Sequence, residues 1–152
     1  MRSAVLRLRG LVAALLLAIV VMPCSALAAA REDRTEATIL RALNGVRARS
    51  HLAPLRFNHA LARAADAHSA HMLHSGVLSH GRVYARLRRY THARAVGEAL
   101  AWYSRCDARK IVSMWMASAP HRAILLSRRF DRIGVGRRSG AGRCLVTADL
   151  AG

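Results

Sequence analysis

Acidic residues and lysine are what this 152-residue chain most lacks: 8 Asp and Glu stand against 25 Lys and Arg, and Lys110 is the only lysine. The deficit leaves a formal net charge of +17, which makes a polyanionic neighbour a physical expectation. The near replacement of lysine by arginine, in a chain rich in alanine, also reads as a compositional bias. A membrane-spanning run is missing as well. The apolar stretch Leu11–Met22 falls short of the roughly 20 residues that cross a bilayer. No Gly-x-Ser-x-Gly segment occurs, so the nucleophile elbow of the α/β-hydrolases is excluded. Cysteine is scarce, with three in all.

What is present at the amino terminus explains the short apolar run. Arg2, Arg7 and Arg9 precede it, and the small residues Ala26-Leu27-Ala28 follow it, the order of an export signal. Residues 1–28 are therefore expected to be a signal peptide cleaved near Ala28, with 29–34 a short linker and 35–152 a single domain. A lipid anchor on Cys24 is not favoured, because Val21-Met22-Pro23 lacks the small residue that a lipidated cysteine follows. Cleavage leaves 124 of the 152 residues, enough for one buried core. With Arg2, Arg7 and Arg9 gone from the 25 basic residues, 22 remain against 8 acidic ones, a charge of +14. Export also exposes the two remaining cysteines, Cys106 and Cys144, to oxidising conditions, so a disulfide between them is expected. It would contribute on the order of 3–4 kcal/mol.

Along the chain, Ile39, Leu40, Leu43 and Val46 recur at helical spacing and predict a first helix from Thr35 to about Ser50. Pro54 breaks the run. Asn58 caps a second helix reaching about His74, with Leu61, Ala65, His68 and Met72 on its inner face and Gly76 ending it. His68, His71 and His74 are three apart, but no carboxylate or cysteine in the stripe completes a metal site, and a solvated flank is the plainer reading. Val77 to Ala95 interleaves arginines with Tyr84 and Tyr90, a pattern that can bind a nucleic-acid backbone. Nucleic acid is nevertheless not the expected partner of a basic, partly helical surface segment in a secreted protein. Ala95–Tyr103 reads as a buried strand carrying Glu98. Ser104 with Asp107 resembles a capping box opening a helix through Trp115, Pro120 stops it, and a short helix runs from His121 to about Ser127. Two last strands, Asp131–Arg137 and Arg143–Ala148, are joined at Ser139-Gly140-Ala141-Gly142.

Set in order, several short blocks form a pattern: Leu43-Asn44 with Arg47, Pro54-Leu55, Ser79-His80, Gly97-Glu98, Trp115, Pro120-His121-Arg122 and Ile133-Gly134-Val135-Gly136. Their order and spacing resemble the CAP superfamily (SCP-like domain), in its short bacterial secreted form, over Thr35 to Gly152. The resemblance implies an α+β fold, a three-layer α-β-α sandwich with a mostly antiparallel central sheet. Asn44 and Arg47 look like the family's Asn-x-x-Arg and are expected to tie the first helix to a neighbouring loop. The family's cleft, lined by two histidines and two acidic residues, carries over to His80, Glu98 and His121. The fourth position departs from the pattern, with Ser118 where many members have glutamate, and Ala99 stands where the family has asparagine after Gly-Glu.

Two imidazoles, His80 and His121, can hold Zn²⁺ weakly and exchangeably, with Glu98 orienting a ligand or polarising water. The first expectation is a secreted, extracellular or periplasmic non-enzymatic binder whose His80–Glu98–Ser118–His121 cleft takes a small ligand or metal. The resemblance implies a lipid, a sterol or a cell-envelope component as partner, with no membrane span after processing. The alternatives are a metal-assisted hydrolase of peptide or envelope polymer with Glu98 as candidate base, and a basic polyanion-binding module. A Ser118–His121–Glu98 grouping is imaginable, with only proximity in its favour.

Overall fold

The computed structural model describes the backbone of residues 24–152 and the side chains from residue 35 onward. Residues 1–23 of the expected signal peptide lie outside the described residues. The elements follow as α1 (Cys24–Arg49), β1 (Arg56–Phe57), α2 (His59–Ser75), α3 (Val83–Leu87), β2 (Val96–Tyr103), α4 (Ala108–Ala117), α5 (Ala119–Leu125), β3 (Arg132–Gly140) and β4 (Arg143–Ala151). No helix among the described residues is long and apolar enough to cross a membrane.

The strands make one mixed sheet in the order β1-β3-β4-β2. The β3–β4 and β2–β4 pairs are antiparallel, and only the two-residue β1 runs parallel to its neighbour β3. This is the mostly antiparallel sheet that the resemblance implies, covered by helices on both faces. Side chains alternate between the faces along each strand. On one side Ala99, Ala101, Ile133, Val135, Val146, Ala148 and Leu150 meet Ile39 and Leu43 of α1, Ile111 and Trp115 of α4 and Leu125 of α5. Trp115 also donates its indole N–H to the Leu100 carbonyl at 2.8 Å.

The opposite face is built for close approach. Gly134 and Gly136 point towards α2, and a Cβ on either would sit 2.0 or 2.1 Å from the backbone nitrogen of Ala62 or Asp66. The Ile-Gly-Val-Gly block therefore carries apolar bulk to one layer and none to the other, so that α2 lies directly on β3. Asn58 caps α2 by accepting from the Leu61 N–H at 3.0 Å. Gly76 ends it in the left-handed conformation, φ 72°.

Several boundaries differ from expectation. The first helix begins at Cys24, well before Thr35. Asp107 caps α4, accepting from Lys110 N–H at 3.0 Å, so Ser104 closes no capping box. The short fifth helix begins at Ala119 with Pro120 in its first turn, where a missing N–H costs nothing. Both last strands run to a two-residue turn, Ala141-Gly142, with φ of 48° and 71°; two positive φ values match the twist of the flanking strands. Cys106 and Cys144 are bridged, with Cα atoms 5.3 Å apart. The expected disulfide is thus formed, tying the start of α4 to β4.

Candidate functional site

The site grows from one register pair. Glu98 of β2 stands directly opposite Asp149 of β4, on the face covered by α2, and the two are 3% and 0% exposed. Like charges so placed repel, and burial without partners would be prohibitive. Arg86, projecting from α3, resolves this. Its guanidinium grips Asp149 through two bonds of 2.7 and 2.8 Å and donates to Glu98 Oε2. Arg86 also donates to the Ala64 carbonyl at 3.3 Å, which fixes it to α2.

One cation between two buried carboxylates leaves an excess of negative charge. Burial pushes the Glu98 carboxyl up to about 8, with Arg86 opposing and Asp149 adding to the rise. Burial raises Asp149 as well, against the pull of Arg86. The Arg86 guanidinium, in turn, is held more firmly protonated: desolvation works against it, but the hydrogen bonds and charge of Asp149, with the charge of Glu98, outweigh that.

His80, in the loop between α2 and α3, engages the outer oxygen of this cluster: Nδ1 lies 2.7 Å from Glu98 Oε1, and half the side chain is exposed. With Glu98 ionised, Nδ1–H donates and Nε2 presents a lone pair; with the proton on Glu98, Nδ1 accepts and Nε2 carries the hydrogen. His121 arrives on α5, from the opposite helical layer. Its ring centroid lies 6.4 Å from that of His80, the planes tilted by 42°. The two imidazoles therefore meet beside β2, an edge strand of the sheet. Burial lowers the His121 pKa, and His80 lowers it further.

Gly97, next to Glu98, faces the α5 side; a Cβ there would come within 2.8 Å of the Phe130 ring and 3.2 Å of Ile124. The Gly-Glu dipeptide thus lets α5 lie against β2 on one side while the carboxylate works on the other. Ser118 sits at the α4–α5 junction. Its backbone N–H bonds to Met114 and Trp115 carbonyls, and its side chain caps neither helix. No hydrogen bond joins Ser118 to His121 among the described residues, and the imidazole partner of Glu98 at hydrogen-bond distance is His80.

The three histidines of α2 separate. His68 is buried, with Nε2 3.0 Å from the Ser79 carbonyl oxygen and 3.5 Å from Glu98, and its pKa falls, first from burial and then from Arg86. His71 and His74 are exposed. No group of three or more His, Cys, Asp or Glu able to hold a metal occurs among the described residues. A Zn²⁺ ion at this site would have His80 and His121 as its imidazole ligands and water in the remaining positions. Asn44 and Arg47 work away from the cleft, in the tying role expected of them. Asn44 exchanges two hydrogen bonds with the Leu55 backbone, 2.9 and 3.0 Å. Arg47, 2% exposed, donates to the carbonyls of Ala53 and Leu125 at 2.9 and 2.7 Å.

Two members of the cluster were not singled out from sequence. Asp149 falls one residue beyond the end expected for β4, and Arg86 counts there among a run of surface arginines. A usable signal existed: a carboxylate in an apolar strand requires a cation, and the segment from Arg82 to Arg89 around α3 is rich in them.

Residues 40–148 match the family model of the cysteine-rich secretory protein family, CAP. Among solved structures, the chain is similar to an extracellular SCP-domain protein of Bacillus anthracis, with 26% identity and a TM-score of 0.72 over 79% of this chain and 41% of that one. An outer surface protein of Borrelia burgdorferi shares the fold at a TM-score of 0.72 and 16% identity, over 78% of this chain and 92% of that one. A cysteine-rich secretory protein of Staphylococcus aureus does so at 0.66 and 19%, over 80% and 39%. The chain thus spans about two fifths of the Bacillus anthracis and Staphylococcus aureus proteins. No curated protein sequence matches it.

Proposed function

The chain belongs to the CAP family of cysteine-rich secretory proteins, and from that premise we propose that it is a secreted binder using the cleft at His80, Glu98 and His121. The observation that carries the reading is the pairing of a half-exposed imidazole, held at 2.7 Å by a buried carboxylate, with a second imidazole from the opposite layer. Such an arrangement orients donors without requiring either ring to move. Secretion is supported by the charged and apolar order of residues 1–28. The oxidised pair Cys106–Cys144 and the extracellular and outer-surface relatives point the same way.

Zn²⁺ is one ligand of this cleft, held by His80 and His121; when bound it would supply a Lewis acid and an ordered water. Two imidazoles make a weak site. A lipid, a sterol or a cell-envelope component is the larger partner that membership of the family implies. Hydrolysis by the same cleft has less in its favour. Glu98, the candidate base, is buried with its oxygens already engaged by His80 and Arg86, so a proton-accepting lone pair does not face a substrate.

Titration calorimetry of the oxidised protein with Zn²⁺ tests the reading, beside a His80→Ala/His121→Ala variant. Binding lost in the variant with an unchanged Tm supports the site; equal affinity in both proteins rejects it. A hydrolysis screen on wild type and Glu98→Gln runs on the same samples, and turnover abolished only in the variant would favour the enzyme instead.

A further inference from the structure

Beside the imidazole pair the surface opens into a cleft of about 360 Å³, lined by His68, His71, His80, Arg82, Arg86 and Arg89. Its size falls within the range of small-molecule sites, about 300–1,000 Å³. Its chemistry is one-sided. No residue lining it is acidic, and the two carboxylates that Arg86 holds, Glu98 and Asp149, are buried in the sheet. Arg86 is committed to them, whereas Arg82 and Arg89 are exposed and their guanidinium groups form no ion pair among the described residues. His71 is exposed and His80 half so.

At Arg82 and Arg89, away from His121, a bare dication meets guanidinium charge with no accessible carboxylate to offset it, while an anion meets favourable partners. Guanidinium forks match the tetrahedral oxygens of phosphate and sulfate, and bonds between ionised partners are the strong ones. We propose that the cleft takes a multiply charged oxyanion, a phosphate or sulfate ester, held by Arg82 and Arg89 with the His71 and His80 imidazoles as further donors. The assignment rests on the binding reading of the His80–His121 site and names the chemistry of what binds beside it. Arg86 is the positioning residue: paired with Glu98 and Asp149, it offsets part of the negative charge that would oppose the ligand.

The test is calorimetry of the oxidised, metal-stripped protein with inorganic pyrophosphate. Arg82→Gln/Arg89→Gln is compared with Arg128→Gln/Arg129→Gln, which removes equal charge from two exposed residues following α5. The cleft variant should bind about tenfold more weakly or worse, with an unchanged Tm, while the control stays within about twofold because distant exposed charges are screened. Equal weakening in both would reduce the effect to diffuse charge and overturn the proposal, as would undetectable binding by wild type. Phosphatidylglycerol vesicles identify the source of the phosphate. Vesicle binding that pyrophosphate displaces and the cleft variant loses supports a lipid headgroup as ligand; vesicle binding indifferent to both rejects the headgroup source. Zinc titration of His80→Ala/His121→Ala keeps the two readings apart. Zinc silence in wild type with pyrophosphate binding lost only in the arginine variant ends the metal reading and leaves the anion site standing, and the reverse pattern ends the anion site alone.

Discussion

On the face of the sheet turned to α1, α4 and α5, the strands present Ala99, Ala101, Ile133, Val135, Val146, Ala148 and Leu150, a continuous apolar surface. On the face turned to α2 and α3, the same strands present Gly134, Gly136, Thr147, Glu98 and Asp149. The first face is held by area removed from water, which tolerates imperfect partners. The second adds complementarity to a smaller apolar contact of Leu100 and Leu145 with Met72: glycines admit a helix backbone, Ser69 and Thr147 share a buried hydrogen bond of 2.9 Å, and one arginine bridges two acids. Complementarity of this kind fails abruptly when one member is removed. The candidate site sits on the second face and borrows His121 from the first at the sheet's edge.

Substitutions should expose this asymmetry. The largest effect is expected from Arg86→Ala, which leaves the buried Asp149 and Glu98 carboxyl groups without their cation and should cost about 3–5 kcal/mol in urea unfolding at neutral pH. A loss below about 1 kcal/mol would mean that the pair is neutral without it. On the apolar side, replacing Cys106 and Cys144 by serine should cost roughly 3–4 kcal/mol through the freed unfolded chain. Gly136→Ala comes next, at roughly 3 kcal/mol, the upper end of overpacking, because its Cβ would meet α2 backbone rather than a side chain that can rotate.

A smaller effect separates the faces by pH. Glu98 has a folded pKa raised from 4.5 to about 8, and Asp149 is raised in the same direction. A raised carboxyl binds its proton more tightly in the folded state, so its contribution is present below the unfolded pKa and is lost as pH rises through the folded value. His68 and His121, lowered from 6.5, run oppositely and matter below that pH. Between about pH 6.5 and 8 stability should therefore fall, and Glu98→Gln should flatten the slope. An unchanged slope would place the titration elsewhere. Smallest is His80→Ala. Its half-exposed ring should cost under about 1 kcal/mol while removing a cleft donor.

Much of the apolar face was legible in the sequence. Ile39 and Leu43 recur at helical spacing, and Ile133 and Val135 alternate as a strand requires, so burial follows from local periodicity. Caps at Asn58 and Gly76 were legible for the same reason: each bonds to backbone within a few residues. The capping box at Ser104 was not realised because Asp107 bonds directly to Lys110 N–H, and β1 escaped notice because two residues carry no pattern. On the polar face, Glu98 and His80 were recognisable from their dipeptide motifs, but their joint dependence on Arg86 was not. Arg86 looks like Arg82 and Arg89 to any local measure.

By itself the sequence determined the order of the longer elements, the export-compatible cysteine pair, and the apolar faces that must be buried, since these depend on side-chain type and spacing within single elements. Tertiary structure alone decided which arginine turns inward, that Asp149 lies opposite Glu98, and that His80 and His121 come together from opposite layers. Those outcomes rest on contacts between residues tens of positions apart. Their energies depend on distance, burial and shared charge, none of which exists until the sheet has closed and α2, α3 and α5 have docked on it.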